Sequence, residues 1–263
     1  LGTRLNTLRV RGESMKKTLG ELHTIMEKKE PGIYMFGDVG GGLFFSNNLG
    51  GYLGSSRYRA TSETVRIGAA GKNAAGLSWS VSLDGGHVSS KSRHTVLSAT
   101  GKQNIFGLSL SVGKRFEKTT FAMNGSVGHS REKITSSLPG SMQMDKLKTR
   151  VPETLFNVGG DVAYALTEEL SIAASPQLWV FPKATEKTSI GSQSAFRLKN
   201  EAQVFAEMPL SLRGSWAVSS AADTKIRLKG ELGGSVKVGK LSKESRLFAA
   251  VSYTHLRAHE TKA

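Results

Sequence analysis

The sequence predicts an all-β fold, an antiparallel transmembrane β-barrel preceded by an N-terminal α-helix that occupies the pore. Three observations in the 263 residues lead to this prediction. Apolar residues near the N-terminus recur at helical spacing, apolar and small polar residues alternate from Gly32 onward, and the connections between the alternating segments are long and short by turns. About ten strand candidates follow the helix.

The first predicted element is a helix over residues 14–30. Ser14 can cap its start, and Pro31 with Gly32 stops it. A helix with one narrow apolar stripe needs a surface or a lumen to lie against, although an ordinary amphipathic helix docked on a domain would have the same pattern. The residues of this stripe, which we predict to hold the helix in the pore, are Met15, Leu19, Leu22, Ile25 and Met26.

The strand candidates alternate apolar residues with serine, glycine, alanine and asparagine. Their length is close to the 9–11 or so residues of membrane-crossing strands and exceeds the 5–6 or so typical of sandwich strands. The small second face cannot contribute bulk to a sandwich core, but it can line a watery lumen. We therefore predict that the apolar face contacts lipid. The clearest lipid-facing residues are Leu77, Trp79, Val81, Leu83, Phe106, Leu108, Leu110 and Val112.

The predicted connections alternate in length along the whole chain. The long ones are residues 46–57, 86–103, 130–153 and 182–195, and the short ones are residues 71–76, 114–118, 167–169 and 219–223. A soluble meander has no reason to sort its loops by side, whereas an outer-membrane barrel has short periplasmic turns and longer external loops. Two of the long connections are basic, and we expect them to face outward, beside anionic lipopolysaccharide.

Composition narrows the function classes. The chain contains no cysteine, which excludes disulfides, a thiolate nucleophile, cysteine-bound zinc and iron–sulfur clusters. Its formal charge of +15 is spread between apolar segments without interleaved aromatic residues, so nucleic-acid binding is not predicted. No window approaches the roughly 20 apolar residues of a membrane helix. The strands of a barrel have apolar residues only at alternate positions, so a search for long apolar windows does not detect them.

The sequence contains no motif that predicts catalysis. The G-x-S-x-G elbow, the G-x-x-x-x-G-K-[ST] loop and H-E-x-x-H are all missing. His87 and His94 lie near Asp84, but histidines in loops are usually solvated rather than metal-bound. We therefore predict no enzyme activity, no catalytic residues, no cofactor and no metal.

The order of elements resembles the translocator domain of autotransporters, the type V secretion proteins of Gram-negative bacteria. The segment LGTRLNTLR resembles the linker before the helix, and GIYMFGDVGGG stands where the first strand begins. The runs VPETLFNVGGDVAYAL, LSIAASPQLWVF and FRLKNEAQVFAEMPLSLRGSW are also typical of such domains. The resemblance covers most of residues 32–253.

The resemblance implies a barrel of about twelve strands whose pore holds the helix after an N-terminal passenger has been secreted. Residues 1–31 would be the linker and pore helix at the end of a missing passenger, and residues 32–253 the barrel. Residues 254–263 would be a non-native read-through tail, so that about ten strands of a C-terminally truncated domain are present. The residues implied to face the lumen are Asp161, Glu207, Arg213, Arg227, Lys229 and Glu231.

The predicted function is that of an integral outer-membrane translocator and anchor that supports export and surface display of the passenger. The implied partners are outer-membrane lipids and lipopolysaccharide, the barrel-assembly machinery and the passenger itself, with the chain a monomer. Arginine at Leu110 or Val112 should then cost more than arginine at Ser109 or Ser111. Two alternatives remain open: another outer-membrane barrel of porin or adhesin type, and a soluble secreted β-barrel or sandwich that binds a ligand.

Overall fold

The structure is a computed structural model that describes residues 2–47, 57–93, 97–137, 146–191, 193–221, 224–239 and 243–257. Within these residues an N-terminal helix is followed only by strands. The elements are α1 (Gly2–Glu27), β1 (Gly32–Asn47), β2 (Arg57–Lys72), β3 (Ser78–Arg93), β4 (Ser98–Phe116), β5 (Thr119–Ser137), β6 (Leu147–Ala165), β7 (Leu170–Ala174), β8 (Gln177–Phe181), β9 (Ala184–Ile190), β10 (Gln193–Asn200), β11 (Gln203–Ala221), β12 (Thr224–Gly239) and β13 (Lys243–Arg257).

The strands form one antiparallel sheet in which neighbours along the chain are neighbours in space. The hydrogen-bonded order runs from β1 through β7 and continues with β11, β12 and β13. β7, β8 and β9 each pair with β6, so residues 170–190 form one interrupted strand. β10 pairs with β9, and β11 pairs with β7 and β8, so residues 193–221 form the next. The segments thus make ten consecutive strands, in agreement with the predicted number.

Two compact units divide the chain. The first comprises Leu1–Val112, Asn124–Asn157 and Val180–Gln203, and the second comprises Gly113–Met123, Val158–Trp179 and Val204–Ala263. In the first unit β2 pairs with β1 on one side and with β3 on the other, both in continuous register. Gly32 of β1 is opposite Lys72 of β2, and Arg57 of β2 is opposite Arg93 of β3. In the second unit β11 pairs with β12, and β12 pairs with β13. Residues 254–257 of the predicted tail belong to β13, and residues 258–263 lie outside the described residues.

Alternation along the strands gives the sheet of the first unit two different sides. One side contacts α1 and is called here the helix-facing side; the opposite one is called the outer side. On β3, Ser78, Ser80, Ser82 and Asp84 are buried on the helix-facing side, whereas the residues between them are partly or fully exposed. Small side chains let the helix approach the sheet closely, as the serine-rich pattern predicts.

Three of the four predicted long connections are mostly strand, and residues 48–56 of the remaining one, predicted over residues 46–57, lie outside the described residues. β3 continues to Arg93 and β4 begins at Ser98, so the prediction of a loop over residues 86–103 is wrong. The same holds for much of residues 130–153 and 182–195, which contain the end of β5, the start of β6, all of β9 and the start of β10. The predicted short connections over residues 71–76, 114–118 and 167–169 are confirmed, whereas the fourth, over residues 219–223, is strand up to Ala221 and its residues 222–223 lie outside the described residues. Residues 117–118 join β4 to β5, and Glu117 has a positive φ of 45°.

The helix begins twelve residues before its predicted start. α1 runs from Gly2 to Glu27, and Ser14 is a buried mid-helix residue rather than a cap. The segment predicted as a linker is helical, but its buried side chains are polar because they contact a polar sheet. Its sequence therefore has no apolar periodicity from which a helix could be predicted. Within the described residues, no helix combines the length and hydrophobicity that crossing a membrane would require.

A proline interrupts the strand that follows β6. Pro176 lies between β7 and β8, and it has no N–H to contribute to the ladder. Neighbouring backbone groups compensate, because Gly160 donates to the Pro176 carbonyl at 2.9 Å and Ser175 donates to the Pro209 carbonyl at 3.0 Å. The break is thus bonded to the strands on both sides.

Candidate functional site

The candidate site is the interface between α1 and the helix-facing side, and its centre is a buried ion pair. Arg11 of the helix pairs with Asp84 of β3, and their side chains are 0% and 3% exposed. Arg11 also donates to the Leu108 carbonyl at 2.9 Å and to the Ser109 hydroxyl at 3.1 Å. Ser14 donates to Asp84 at 2.8 Å, so one carboxylate receives two helix side chains one turn apart. A buried charge requires such compensation.

Two glycines make room for the Arg11 side chain. A Cβ built on Gly107 of β4 would collide with the guanidinium, and one built on Gly128 of β5 would lie 2.7 Å from Arg11 Cδ and Nε. Neither glycine has a positive φ, so side-chain volume rather than backbone conformation demands glycine here. Arg11 therefore occupies a slot that any larger residue at these two positions would narrow.

The N-terminal end of α1 is held by two buried glutamates. Arg4 donates to Glu153 of β6 at 2.9 Å and to the Glu201 carbonyl at 2.8 Å. Thr3 donates to Glu132 of β5. Gln103 of β4 donates to the Thr3 carbonyl at 3.1 Å. Three consecutive strands therefore bond to the first turn of the helix.

The C-terminal half of α1 combines polar contacts at Thr18 and at the helix end with a row of buried apolar side chains. Thr18 lies 2.5 Å from the Ser82 hydroxyl, and the Thr18 carbonyl accepts a bond from Ser80 at 2.8 Å. Lys72 of β2 donates to the carbonyls of Met26 and Lys28 at the helix C-terminus, where a cation complements the helix dipole. The five residues predicted to hold the helix are all buried: Met15, Leu19, Leu22, Ile25 and Met26.

β1 contributes a carboxylate that joins its neighbouring strand to the helix. Asp38 accepts two bonds from Arg66 of β2, at 2.8 and 2.5 Å, and one from Lys17 of α1 at 3.3 Å. Arg66 also lies 3.6 Å from Glu21 of the helix and stands over the Phe36 ring at 4.8 Å. The Lys17–Asp38 ion pair therefore holds the helix against β1. Arg66 joins β2 to the helix by its ion pair with Glu21 and to β1 by its contacts with Asp38 and Phe36.

A cavity of about 270 Å³ lies between α1 and the first strands. Gly40, Gly41 and Gly42 of β1 form one wall, and helix side chains that include Arg9 and Glu13 form another. Nearby, Val10 packs with apolar residues of the sheet. This cluster comprises Val10, Ala60, Val88 and Ile105, with Phe44 and Tyr58 at its edge.

A separate ion-pair cluster lies in the second unit and includes three residues predicted to face the lumen. Arg213 of β11 donates twice to Asp161 of β6, at 3.0 and 2.8 Å, and lies 3.3 Å from Glu231 of β12. Ser175 beside the proline break donates to the same aspartate. Asp161 is buried, and the cluster joins β6, β11, β12 and the break between β7 and β8.

The other three predicted lumen residues lie on β11 and β12. Glu207 of β11 is half-buried. Arg227 and Lys229 lie in β12, opposite Ala217 and Ser215, but their side chains are outside the described part of the structure.

The residues predicted to contact lipid lie on the outer side. Leu77, Leu83, Phe106, Leu110 and Val112 are exposed, with exposed fractions from 47% to 65%. Trp79, Val81 and Leu108 are partly exposed. Between these residues, Ser109 and Ser111 are buried.

His87 and Asp84 lie on opposite sides of the sheet and cannot share a ligand. Asp84 lies on the helix-facing side with Arg11, whereas His87 lies on the outer side and is 2.8 Å from Asn104. His94 is outside the described residues. Among the residues that are described, no group of three or more His, Asp or Glu side chains is arranged to hold a metal ion.

Most of the charged residues at this interface are not predicted by sequence reasoning. A signal for them exists, because the polar helix residues Arg4, Thr7, Arg11, Ser14 and Thr18 recur at helical spacing. On the strand, Asp84 occupies a position of the alternation that serines otherwise fill. A charged side chain in a row of small residues indicates a buried partner, which here is Arg11.

No protein-family model matches the chain, and no curated protein matches its sequence. Similar solved structures exist nevertheless. The translocator domain of the autotransporter NalP from Neisseria meningitidis superposes with a TM-score of 0.63 at 14% identity, over 94% of this chain and 81% of that one. The β-domain of the Bordetella autotransporter BrkA superposes with a TM-score of 0.51 at 16% identity, over 85% of this chain and 86% of that one. The chain therefore has the fold of autotransporter translocator domains, an N-terminal helix followed by an antiparallel sheet.

Proposed function

We propose that this chain is an outer-membrane translocator domain, which anchors an N-terminal passenger and supports its export and display. The observation that carries the proposal is the polar contact of α1 with six consecutive strands. Side chains of the helix bond to β1 through Asp38, to β3 through Asp84 and to β6 through Glu153. β2, β4 and β5 contact it through Lys72, Gln103 and Glu132. A helix bonded to so many strands of one sheet side suits a pore interior better than a surface.

The two sides of the sheet support a membrane location. Large apolar side chains are exposed on the outer side, where a soluble protein would leave them in water. The backbone of the strands is bonded in continuous ladders, the condition for crossing lipid with strands. We infer that the exposed apolar residues contact outer-membrane lipid and that Asp161, Glu207, Arg213, Arg227, Lys229 and Glu231 face the lumen.

The domain division follows from this function. Residues 1–31 would be the linker and pore helix that connect to a passenger, and residues 32–253 the barrel, with the tail beginning at residue 254. The chain would act as a monomer that the barrel-assembly machinery inserts, and its role would be transport and anchoring rather than catalysis. The fold shared with two autotransporter domains supports this proposal.

The proposal is tested by fusing an export signal and a reporter domain upstream of Leu1 and expressing the fusion in a Gram-negative host. We expect the chain in the outer-membrane fraction, with a gel mobility that changes on heating. We also expect the reporter to be cleaved by protease added to intact cells. The control is the reporter with the export signal but without the chain. It should remain inside the outer membrane, where the added protease cannot cleave it.

Two results would count against the proposal. A chain recovered in the soluble fraction would exclude the membrane barrel altogether. A heat-modifiable chain in the outer membrane whose reporter remains protected would keep the barrel and exclude the translocator function.

A further inference from the structure

Basic side chains stand directly opposite one another on the outer side of two neighbouring strands. Arg59 of β2 is opposite Lys91 of β3, and Arg57 is opposite Arg93 in the next row. All four side chains are exposed. Residues directly opposite on a sheet have Cβ atoms about 4.5–5.5 Å apart, and like charges there repel. This arrangement, called here the first basic cluster, favours a bound anion.

A second basic cluster has the same design on other strands of the same unit. Lys187 of β9 is opposite Arg150 of β6 on one side and opposite Arg197 of β10 on the other. The three side chains are exposed and form one row across three strands. The repetition of the arrangement indicates that it is not an isolated accident of register.

The repulsion within the two clusters is not relieved by acidic neighbours. Within the described residues, none of these basic side chains forms an ion pair, and Arg59 stands over the Phe45 ring at 5.4 Å. Opposed arginines and lysines of this kind fit the oxygens of phosphate groups, which accept charge-assisted hydrogen bonds from several donors at once. Phosphate is therefore the anion that the clusters fit best.

The residues next to the first basic cluster on the outer side indicate what kind of phosphate-bearing molecule would bind there. Toward the short connection between β2 and β3, the rows change to Glu63 opposite His87, and then to Val65, Ile67 and Leu83. These three apolar side chains are 51–60% exposed. A ligand that satisfies both regions has phosphates at one end and acyl chains at the other.

We propose that the basic clusters bind the phosphates of a bisphosphorylated glycolipid in the outer leaflet. This inference rests on the proposed membrane function and adds a specific lipid to it. The clusters hold two or more cations within a row, which matches a headgroup with two phosphates better than one with a single charge. The lipid would lie along the outer side, with its acyl chains against the apolar rows.

The test uses the full chain refolded in detergent, with lipid A that carries two phosphates as the probe and dephosphorylated lipid A for comparison. Binding is measured by native mass spectrometry. We expect the phosphorylated lipid to bind about tenfold more tightly or better, since each charge-assisted contact is worth a factor of this order. The double variant Arg59→Gln/Lys91→Gln should lose a measurable part of this preference, namely the part that the first basic cluster supplies. The matched control, Arg115→Gln/Lys118→Gln, removes two exposed charges at the β4–β5 connection and should keep it.

Heat-modifiability of every variant is recorded in parallel, so that two kinds of failure are separated. A wild-type chain that is soluble and not heat-modifiable would overturn the membrane function, and this inference with it. A heat-modifiable chain that binds both lipids equally would overturn only the lipid inference. Loss of as much preference in the control variant as in the Arg59→Gln/Lys91→Gln variant would also overturn it, because net charge would then explain the binding.

Discussion

At the residue scale, the burial of Arg11 shows how a charged side chain can be tolerated inside this molecule. The guanidinium has a carboxylate, a carbonyl and a hydroxyl as partners, so the desolvation of its charge is compensated at several atoms. Removing one partner of such a pair would leave the other charge buried and uncompensated, which costs more than the pair itself contributes. The position of the helix is therefore set by electrostatics as well as by apolar burial.

The slot around Arg11 leads to a prediction for the glycine of β5 that borders it. Gly128→Ala places a methyl group 2.7 Å from Arg11 Cδ and Nε, on the stem of a side chain that is fully buried and bonded at its head. We expect the free energy of unfolding to fall by about 1–3 kcal/mol because the strand or Arg11 must shift. Urea unfolding in detergent micelles, followed by tryptophan fluorescence, measures the change.

Gly125 on the same strand is the matched control. A Cβ there would have its closest contact at 3.7 Å, an ordinary van der Waals distance. Gly125→Ala should change the free energy of unfolding by about 0.5 kcal/mol or less. Equal losses for the two variants would show that the strand tolerates no alanine and that Arg11 has no special part in the effect.

At the element scale, the strands are predictable from sequence where they are apolar on one side and are not predictable where both sides are polar. Near Leu83 the alternation of large apolar and small residues is clear and predicts the strand. Beyond His87 the outer side carries residues such as Lys91, while Val88 and Ser90 are buried on the helix-facing side. The strand continues there, but its outer side has lost the large apolar residues, and the helix-facing side mixes apolar Val88 with polar Ser90, so no alternation of apolar and polar residues is left. The hairpin ends therefore have the sequence pattern of loops.

The start of α1 escapes sequence-based prediction for a related reason. Helix prediction from periodicity depends on apolar residues, and the first half of α1 buries Thr3, Asn6 and Arg11 instead. Their partners Glu132, Tyr58 and Asp84 belong to the sheet and follow them by 129, 52 and 73 positions in the chain. The second half of α1 buries apolar residues, and its pattern predicts a helix. Partners at such sequence separations cannot be found from local pattern.

The expectation that arginine would be mild at Ser109 and Ser111 needs correction on the same ground. Ser111 is 2.5 Å from the Ser80 hydroxyl, and Ser109 accepts a bond from Arg11. Both positions are buried, and position 109 adjoins a cation, so arginine there would clash and repel rather than enter water. Comparison of the two sides at these positions would not measure lipid contact.

Lipid contact can be measured by comparing arginine substitutions at two depths on the outer side of β2. Ile67 lies among exposed apolar residues, opposite Leu83, whereas Thr61 lies opposite Ser89, next to the first basic cluster. We expect Ile67→Arg to lower the free energy of unfolding in lipid vesicles by about 2–4 kcal/mol, and Thr61→Arg by about 0–1 kcal/mol, since the cost falls toward the interface. Similar costs at the two positions would mean that β2 does not cross a hydrocarbon layer between them.

At the scale of the whole molecule, composition and fold agree once each side of the sheet is considered separately. The chain has 38% hydrophobic residues and a charge of +15. Exposed apolar residues occupy the outer side, part of the charge is paired with carboxylates on the helix-facing side, and further cations stand at the strand ends. A chain with this distribution has a low mean hydropathy although it presents a large apolar surface.

The absence of cysteine makes the relation of α1 to the sheet directly testable, since any disulfide must come from introduced residues. The hydroxyl oxygens of Thr18 and Ser82 are 2.5 Å apart, close to the sulfur–sulfur length of about 2.05 Å, so Thr18→Cys/Ser82→Cys should form a disulfide after mild oxidation. Non-reducing gels and thiol labelling of the membrane-extracted chain detect the bond. Thr24→Cys/Ser82→Cys is the control, because Thr24 lies about 9 Å further along the helix and bonds to the Gly20 carbonyl instead. Cross-linking to the same extent in the two variants would mean that the helix is not held against β3 in this register, and the case for a helix seated inside the sheet would fail.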